Sequence, residues 1–219
     1  MKKEYIKEAA WNKIFDFLKG LKNIYTGTME SCKRFIEGVC WMARTGAQWR
    51  ELPLCYGKWN SIYKRFNKWS CKNIWNLLLQ FCIDTPDLEY VMIDSTIVRA
   101  HAWGNPLKFI ITPGQASDFL QAKKLLSSIN KSFVLGDKGY DSNEIRATIN
   151  LQNCAPVIPA RKNRLTPIQY DKHIYKERHL IECFFSKLKF FRRVFSRFDK
   201  TIRNFQSFLS FVGAILWLR

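Results

Sequence analysis

Apolar residues recur at helical spacing through the first third of the chain. IKEAAWNKIFDFLKG and SCKRFIEGVCWMARTG each carry an apolar stripe and stop at a glycine, Gly20 and Gly46, which predicts two helices. After a break at ELPLCYGK, the stretch WNSIYKRFNKWSCKNIWNLLLQFC predicts a third helical region with Lys58, Lys64, Arg65 and Lys68 on its basic side. DTPDLE reads as a linker, and beyond it the period changes. EYVMIDSTIV, PLKFIIT, SFVLGD and APVIPA read as strands, while DFLQAKKLLSSI and DSNEIRATI read as helices. Alternation of this kind predicts an α/β layer with some parallel pairing. The expected division is a small all-helical domain over 1–85, of helix-turn-helix type, and an α/β domain over 86–219 closed by the apolar helix FLSFVGAILWL.

One further helix carries an unusual polar face. In YKERHLIECFFSKLK, Tyr175, Arg178, Glu182 and Lys189 fall within about 60° of one another at 100° per residue. Leu180, Ile181, Phe184 and Leu188 lie on the other side, as in a helix packed on a core. An acid is thus held among two bases and a phenol on an outward face.

Composition adds a partner to this picture. The net charge is +18 over 219 residues, and it is unevenly placed: +8 in residues 1–85, zero in 86–160 and +10 in 161–219. Two basic flanks around a neutral middle suit a protein that grips phosphates with its ends and supplies carboxylates from its centre. The seven cysteines show no metal-binding spacing and read as reduced core residues of a cytoplasmic protein. The N-terminus has no apolar signal region, and no run is long enough to span a bilayer.

The acids of the middle segment divide by context. Asp118 opens a helix, and Asp141 with Glu144 has the D-x-x-E spacing of a capping box, so these three are assigned to structure. Asp94, inside an apolar strand, and Asp137, where a strand runs into a glycine-containing turn, have no such explanation, nor has Glu182. Brought together, the three would repel unless a cation neutralised them, and an all-oxygen cluster suits Mg²⁺ or Mn²⁺. Two such ions would serve phosphodiester chemistry; three unrelated surface or buried acids are the alternative.

The chain resembles the DDE transposases of bacterial insertion sequences. The Tyr-x2-Arg-x3-Glu-x6-Lys helix of one group is matched by Tyr175, Arg178, Glu182 and Lys189, and IDSTIVRAH, TPGQASD, GDKGYD and IPARKNR resemble the family's blocks in order. RTGAQWRELPLCYGKW resembles its N-terminal region. The resemblance implies a ribonuclease H-like core in which Asp94, Asp137 and Glu182 bind two metal ions, Mg²⁺ or Mn²⁺, and cut and join double-stranded DNA at transposon ends and target. It implies that Tyr175, Arg178 and Lys189 contact that DNA; Lys58, Lys64, Arg65 and Lys68, on the basic side of the helix-turn-helix-like third helical region, are read as further DNA contacts, and the active form is expected to be a homodimer. Arg99 and His101 are left outside the site.

In one place the chain departs from the family. RAHAWGNPLKF looks shortened: relatives carry a basic glycine-containing stretch and another strand before the GNPLKF-like block. Parallel strands need a crossover of a dozen or more residues, so residues 99–106 cannot join the first strand to its parallel neighbour. The expectation is therefore an internally deleted sheet lacking its second strand, and a DNA-binding remnant without catalysis stands as the alternative function.

Overall fold

The structure is a computed structural model; it describes residues 6, 8–22, 24–83, 90–94, 98–100, 105–111, 125–126, 129–166 and 168–218, with the backbone alone at residues 9, 94 and 98–100. The chain forms two compact units, residues 1–84 with 187–219, and residues 85–186.

The first unit is helical. Helix α1 (Glu8–Gly20) and α2 (Met29–Thr45) end where the glycines predict. Thr28 caps α2 by accepting the Ser31 N–H at 3.2 Å, and Gly46, at φ 69°, closes it with its N–H on the Met42 carbonyl. The third helical region is two helices, α3 (Trp59–Cys71) and α4 (Ile74–Cys82), because Asn73 turns the chain through the left-handed region at φ 56°. The short helix α8 (Arg192–Phe195) and the C-terminal helix α9 (Ile202–Trp217) belong to this unit, and α9 packs on α4. Phe208 stacks on Phe66 at 4.4 Å and Phe211 meets Trp75 edge-on at 5.1 Å. These rings, with Phe35 and Trp69, are buried, and aromatic contacts of this kind add to the area they bury. The expected division at residue 85 is corrected here: residues 187–219 join the N-terminal helices, since the apolar faces of α4 and α9 cover each other.

The second unit is built on a five-stranded sheet of order β3-β2-β1-β4-β5. Strands β1 (Tyr90–Asp94), β2 (Val98–Ala100) and β3 (Pro106–Phe109) are successively antiparallel, while β4 (Phe133–Leu135) and β5 (Ala155–Val157) run parallel to β1. Val91, Ile93, Val134, Ile145, Ile149 and Ile158 belong to one buried cluster. Helix α5 (Asn143–Leu151) supplies the two isoleucines at 145 and 149, and Ser142 is its cap, accepting the Ile145 N–H at 3.0 Å.

The expectation of a missing second strand is overturned. IDSTIVRAH is not one strand: β1 ends at Asp94, and Val98 pairs back on Asp94 as the start of β2. Residues 98–100 therefore fill the second position, and Pro106 pairs on Ala100 to begin β3, which returns in the direction of β1. Antiparallel pairing of β2 with both β1 and β3 takes the place of a long parallel crossover. Pro106 is tolerated because β3 is an edge strand. The linker at 84–89, the TPGQASD block, Asp118 and His101 lie outside the described residues, as does most of the DFLQAKKLLSSI helix.

Candidate active site

Two of the three acids end adjacent parallel strands at matched height. Met92 of β1 pairs with Leu135 of β4, and Asp94 and Asp137 each follow two residues later. Neighbouring strands lie about 4.8 Å apart, so this register sets the two aspartates side by side along the chain ends of the sheet. Asp137 keeps an extended backbone, φ −75° and ψ 172°, and caps the turn Lys138–Tyr140 by accepting the Gly139 N–H at 2.8 Å. A Cβ at position 139 would lie 2.8 Å from Asp137 Oδ1, so a larger residue there would push that carboxylate aside.

A buried ionic cluster holds this turn from behind. Asp141, its side chain fully shielded, accepts Arg146 Nε, Arg164 Nη1 and the Arg161 backbone N–H, each at 2.8 Å. Burial alone would raise its carboxyl, but those hydrogen bonds from Arg161, Arg146 and Arg164 outweigh it and hold the group below the usual range. Arg161 in turn donates to the carbonyls of Lys138, at 3.1 Å, and Gly139. Arg146 ties in Ile158 at 2.6 Å. The GDKGYD and IPARKNR blocks are thus one structural unit. The capping-box reading of Asp141 is corrected, since Ser142 caps the helix. Arg146, Arg161 and Arg164 are the residues that sequence reasoning missed, and the recurrence of arginine in IPARKNR was the available signal.

The signature segment is helical throughout, as α6 (Lys172–Tyr175), a tight turn Lys176–Arg178 and α7 (His179–Lys189). Asp171 starts it, accepting the His173 and Ile174 N–H groups. Ile181, Phe184 and Leu188 are buried while Glu182 and Lys189 are exposed, as the periodicity predicts; Leu180 is only half-buried. Arg178 and Glu182 form a salt bridge one turn apart, and the Arg178 guanidinium sits 6.0 Å over the Tyr175 ring. Burial raises the Tyr175 hydroxyl and the charge of Asp137 adds to that, against the pull of Arg178. The Asp137 turn and the start of the signature helix are therefore electrostatic neighbours.

The donor set of Asp94, Asp137 and Glu182 is carboxylate oxygen alone, which fits a hard divalent cation. Asp137 has one oxygen on Gly139 and Glu182 has one on Arg178. Among the described residues no three acid, histidine or cysteine side chains are grouped closely enough to hold an ion; the side chain of Asp94 is not among them. Arg99 is placed in β2 by its backbone.

The four basic residues of α3 are not equivalent. Lys58, Lys64 and Lys68 are exposed. Arg65 instead turns inward, donating to the Thr26 carbonyl at 2.8 Å and lying 4.2 Å over Phe35. Burial lowers its pKa, against the opposing effect of the Cys32 thiol. Arg65 is thus half-buried and engaged within the helical unit, unlike the three lysines.

Comparisons with known proteins identify the family. Residues 98–217 match the family model described as "Transposase DDE domain", and residues 6–79 match "Putative transposase of IS4/5 family (DUF4096)". The chain is 41% identical over 121 residues to a Brucella ovis protein named "Putative transposase for insertion sequence element IS6501", covering 54% of this chain and 92% of that one. It is 33% identical over 96 residues to "Uncharacterized protein y4sN" of Sinorhizobium fredii, covering 44% of this chain and 77% of that one. No solved structure matches it. With matched segments running from residue 6 to 79 and from 98 to 217, the chain belongs to the DDE transposases of insertion sequences, in the IS4/5 group.

Proposed function

We propose that this transposase cuts and joins DNA phosphodiesters with Asp94, Asp137 and Glu182 holding two divalent ions. Transposition of DNA with a divalent metal, typically Mg²⁺, is the family's activity. The observation that carries the residue assignment is the register of β1 and β4, which brings Asp94 and Asp137 level at the ends of adjacent parallel strands. The strand order, with three antiparallel strands followed by two parallel ones, supports reading this unit as a ribonuclease H-like core. The presence of a second strand removes the reason for reading the chain as an inactive remnant.

When bound, the ions would activate the attacking oxygen and stabilise the leaving one. The chain's own groups provide position and charge. Arg161 fixes the turn that follows Asp137, so that its carboxylate is aimed before any ligand arrives. Arg178 neutralises Glu182 in the absence of DNA; transferring its guanidinium to a phosphate beside the cut frees the acid for a cation. Tyr175 and Lys189 contact DNA at the transposon end, and Lys58, Lys64 and Lys68 of the helical unit contact duplex DNA. The active assembly is a homodimer that holds two transposon ends. No helix among the described residues is long and apolar enough to cross a membrane.

Calorimetric titration with Mn²⁺ tests the metal assignment. Binding to the wild-type chain is expected to weaken by an order of magnitude or more in Asp137→Asn, with the melting temperature unchanged in the absence of metal. Equal Mn²⁺ affinity in the two proteins would refute the assignment.

A further inference from the structure

The signature tyrosine is held from two sides. Its ring meets that of Tyr170 edge-on, at 5.4 Å between centroids and 76° between planes, and the Arg178 guanidinium lies 6.0 Å over it. Both tyrosines are half-buried. Tyr170 stands one residue before Asp171, whose carboxylate caps α6 by accepting the His173 and Ile174 N–H groups at 2.7 and 3.0 Å. With Asp171 as the cap, Tyr170 and Tyr175 occupy the position before the cap and the fourth helical position, which are the two ends of a hydrophobic staple.

A staple ordinarily fixes the angle at which the chain enters a helix, and any two apolar side chains can make it. This one has a second consequence, because its inner member is the residue read above as a DNA contact. The two contacts on the Tyr175 ring respond differently to DNA. Arg178 is also the partner of Glu182, and its transfer to a phosphate withdraws the guanidinium from the ring. The Tyr170 contact is between neutral rings and lies on the segment leading into the helix, so a phosphate does not compete for it. The charge of Asp137 is felt at the Tyr175 hydroxyl, so the direction of this ring matters beside the acid turn.

We propose that Tyr170 is a positioning residue for Tyr175: the edge-on contact sets the direction of the Tyr175 ring and keeps it when Arg178 turns to DNA. Tyr170 acts through Tyr175, without touching DNA itself, and the inference rests on the reading of Tyr175 as a DNA contact.

The test measures the affinity of the full chain for a duplex carrying the element's own end, by fluorescence anisotropy without divalent metal, so that no cutting intervenes. Tyr170→Phe keeps the ring and is expected to bind as the wild type does. Tyr170→Leu keeps an apolar side chain for the staple but removes the ring. It is expected to bind about fivefold more weakly at an unchanged melting temperature, within what an edge-on aromatic pair contributes. Tyr175→Ala is expected to weaken binding about tenfold. Tyr170→Leu combined with Tyr175→Ala should then bind no more weakly than Tyr175→Ala alone, since the ring through which Tyr170 acts is gone. Wild-type affinity in Tyr170→Leu beside a weakened Tyr175→Ala would overturn this inference and leave Tyr175 as a DNA contact. Wild-type affinity in Tyr175→Ala would overturn that reading, and this inference with it. Effects that multiply in the double variant would also overturn the proposal, as would Tyr170→Phe weakening binding as much as Tyr170→Leu does. So would a loss of affinity in Tyr170→Leu matched by a fall in melting temperature, which would make Tyr170 a helix-start residue alone. Failure of the metal assignment would leave these results unchanged.

Discussion

A carboxylate with no access to water must find its compensation in the protein, and Asp141 finds it in two guanidiniums and a backbone N–H. Asp141→Asn removes the charge and leaves Arg146 facing a neutral amide inside the fold, which is expected to cost about 3 kcal/mol in urea unfolding. The pH dependence follows from the depressed carboxyl. A group whose folded pKa lies below its unfolded value stabilises fully above the unfolded value, near 4, and loses that contribution as pH falls through the folded value. The wild-type urea midpoint should therefore hold from pH 8 to 5 and drop below about pH 4, and the drop should be shallower in the variant. This role was not legible in the sequence. The D-x-x-E spacing of Asp141 and Glu144 satisfies a capping box as well as Ser142 satisfies a cap one residue later, and only the position of three distant arginines decides between them. The engagement of Arg65 was hidden for a related reason: helical periodicity gives the angle of a Cα, and a long side chain can still fold back onto Phe35.

Where an element's boundary depends on a local rule, it could be read from the chain. Gly20 and Gly46 end α1 and α2 as predicted, and the apolar runs VMID, FVL and APV became strands. Gly46 is held by more than chain termination. Its φ of 69° disfavours any side chain, and a Cβ would lie 2.6 Å from the Phe198 ring. Gly46→Ala is expected to lower stability by about 1 to 2 kcal/mol in chemical denaturation. Gly20→Ala, where nothing lies within 4 Å, should change it by less than about 0.5 kcal/mol. The antiparallel return of β2 on β1 escaped prediction because STIV has strand propensity throughout, with no glycine, proline or asparagine between Asp94 and Val98. Short strands are fixed by pairing partners, which the sequence does not display.

Over the whole molecule, the +18 charge is not all surface available to DNA. Arg65, Arg146 and Arg193 serve the interior; Arg193 is buried, bonded to Asp199 at 3.0 Å and to the Ala47 carbonyl at 2.9 Å. What remains is still strongly basic, and the partner class could be read from charge alone. The joining of residues 187–219 to the N-terminal helices could not, because the apolar face of α9 is compatible with any apolar partner. The signature helix pointed to the family, and the sheet register sets Asp94 and Asp137 level on adjacent strands. The most direct measurement is cleavage of labelled DNA carrying the element's own ends, with Mg²⁺ or Mn²⁺, by the wild-type protein and by Glu182→Gln. Metal-dependent nicking at the ends by the wild type, reduced at least a thousandfold by the substitution while DNA affinity is kept, is the predicted result. Binding without cleavage in both proteins, or cleavage that survives Glu182→Gln, would contradict it.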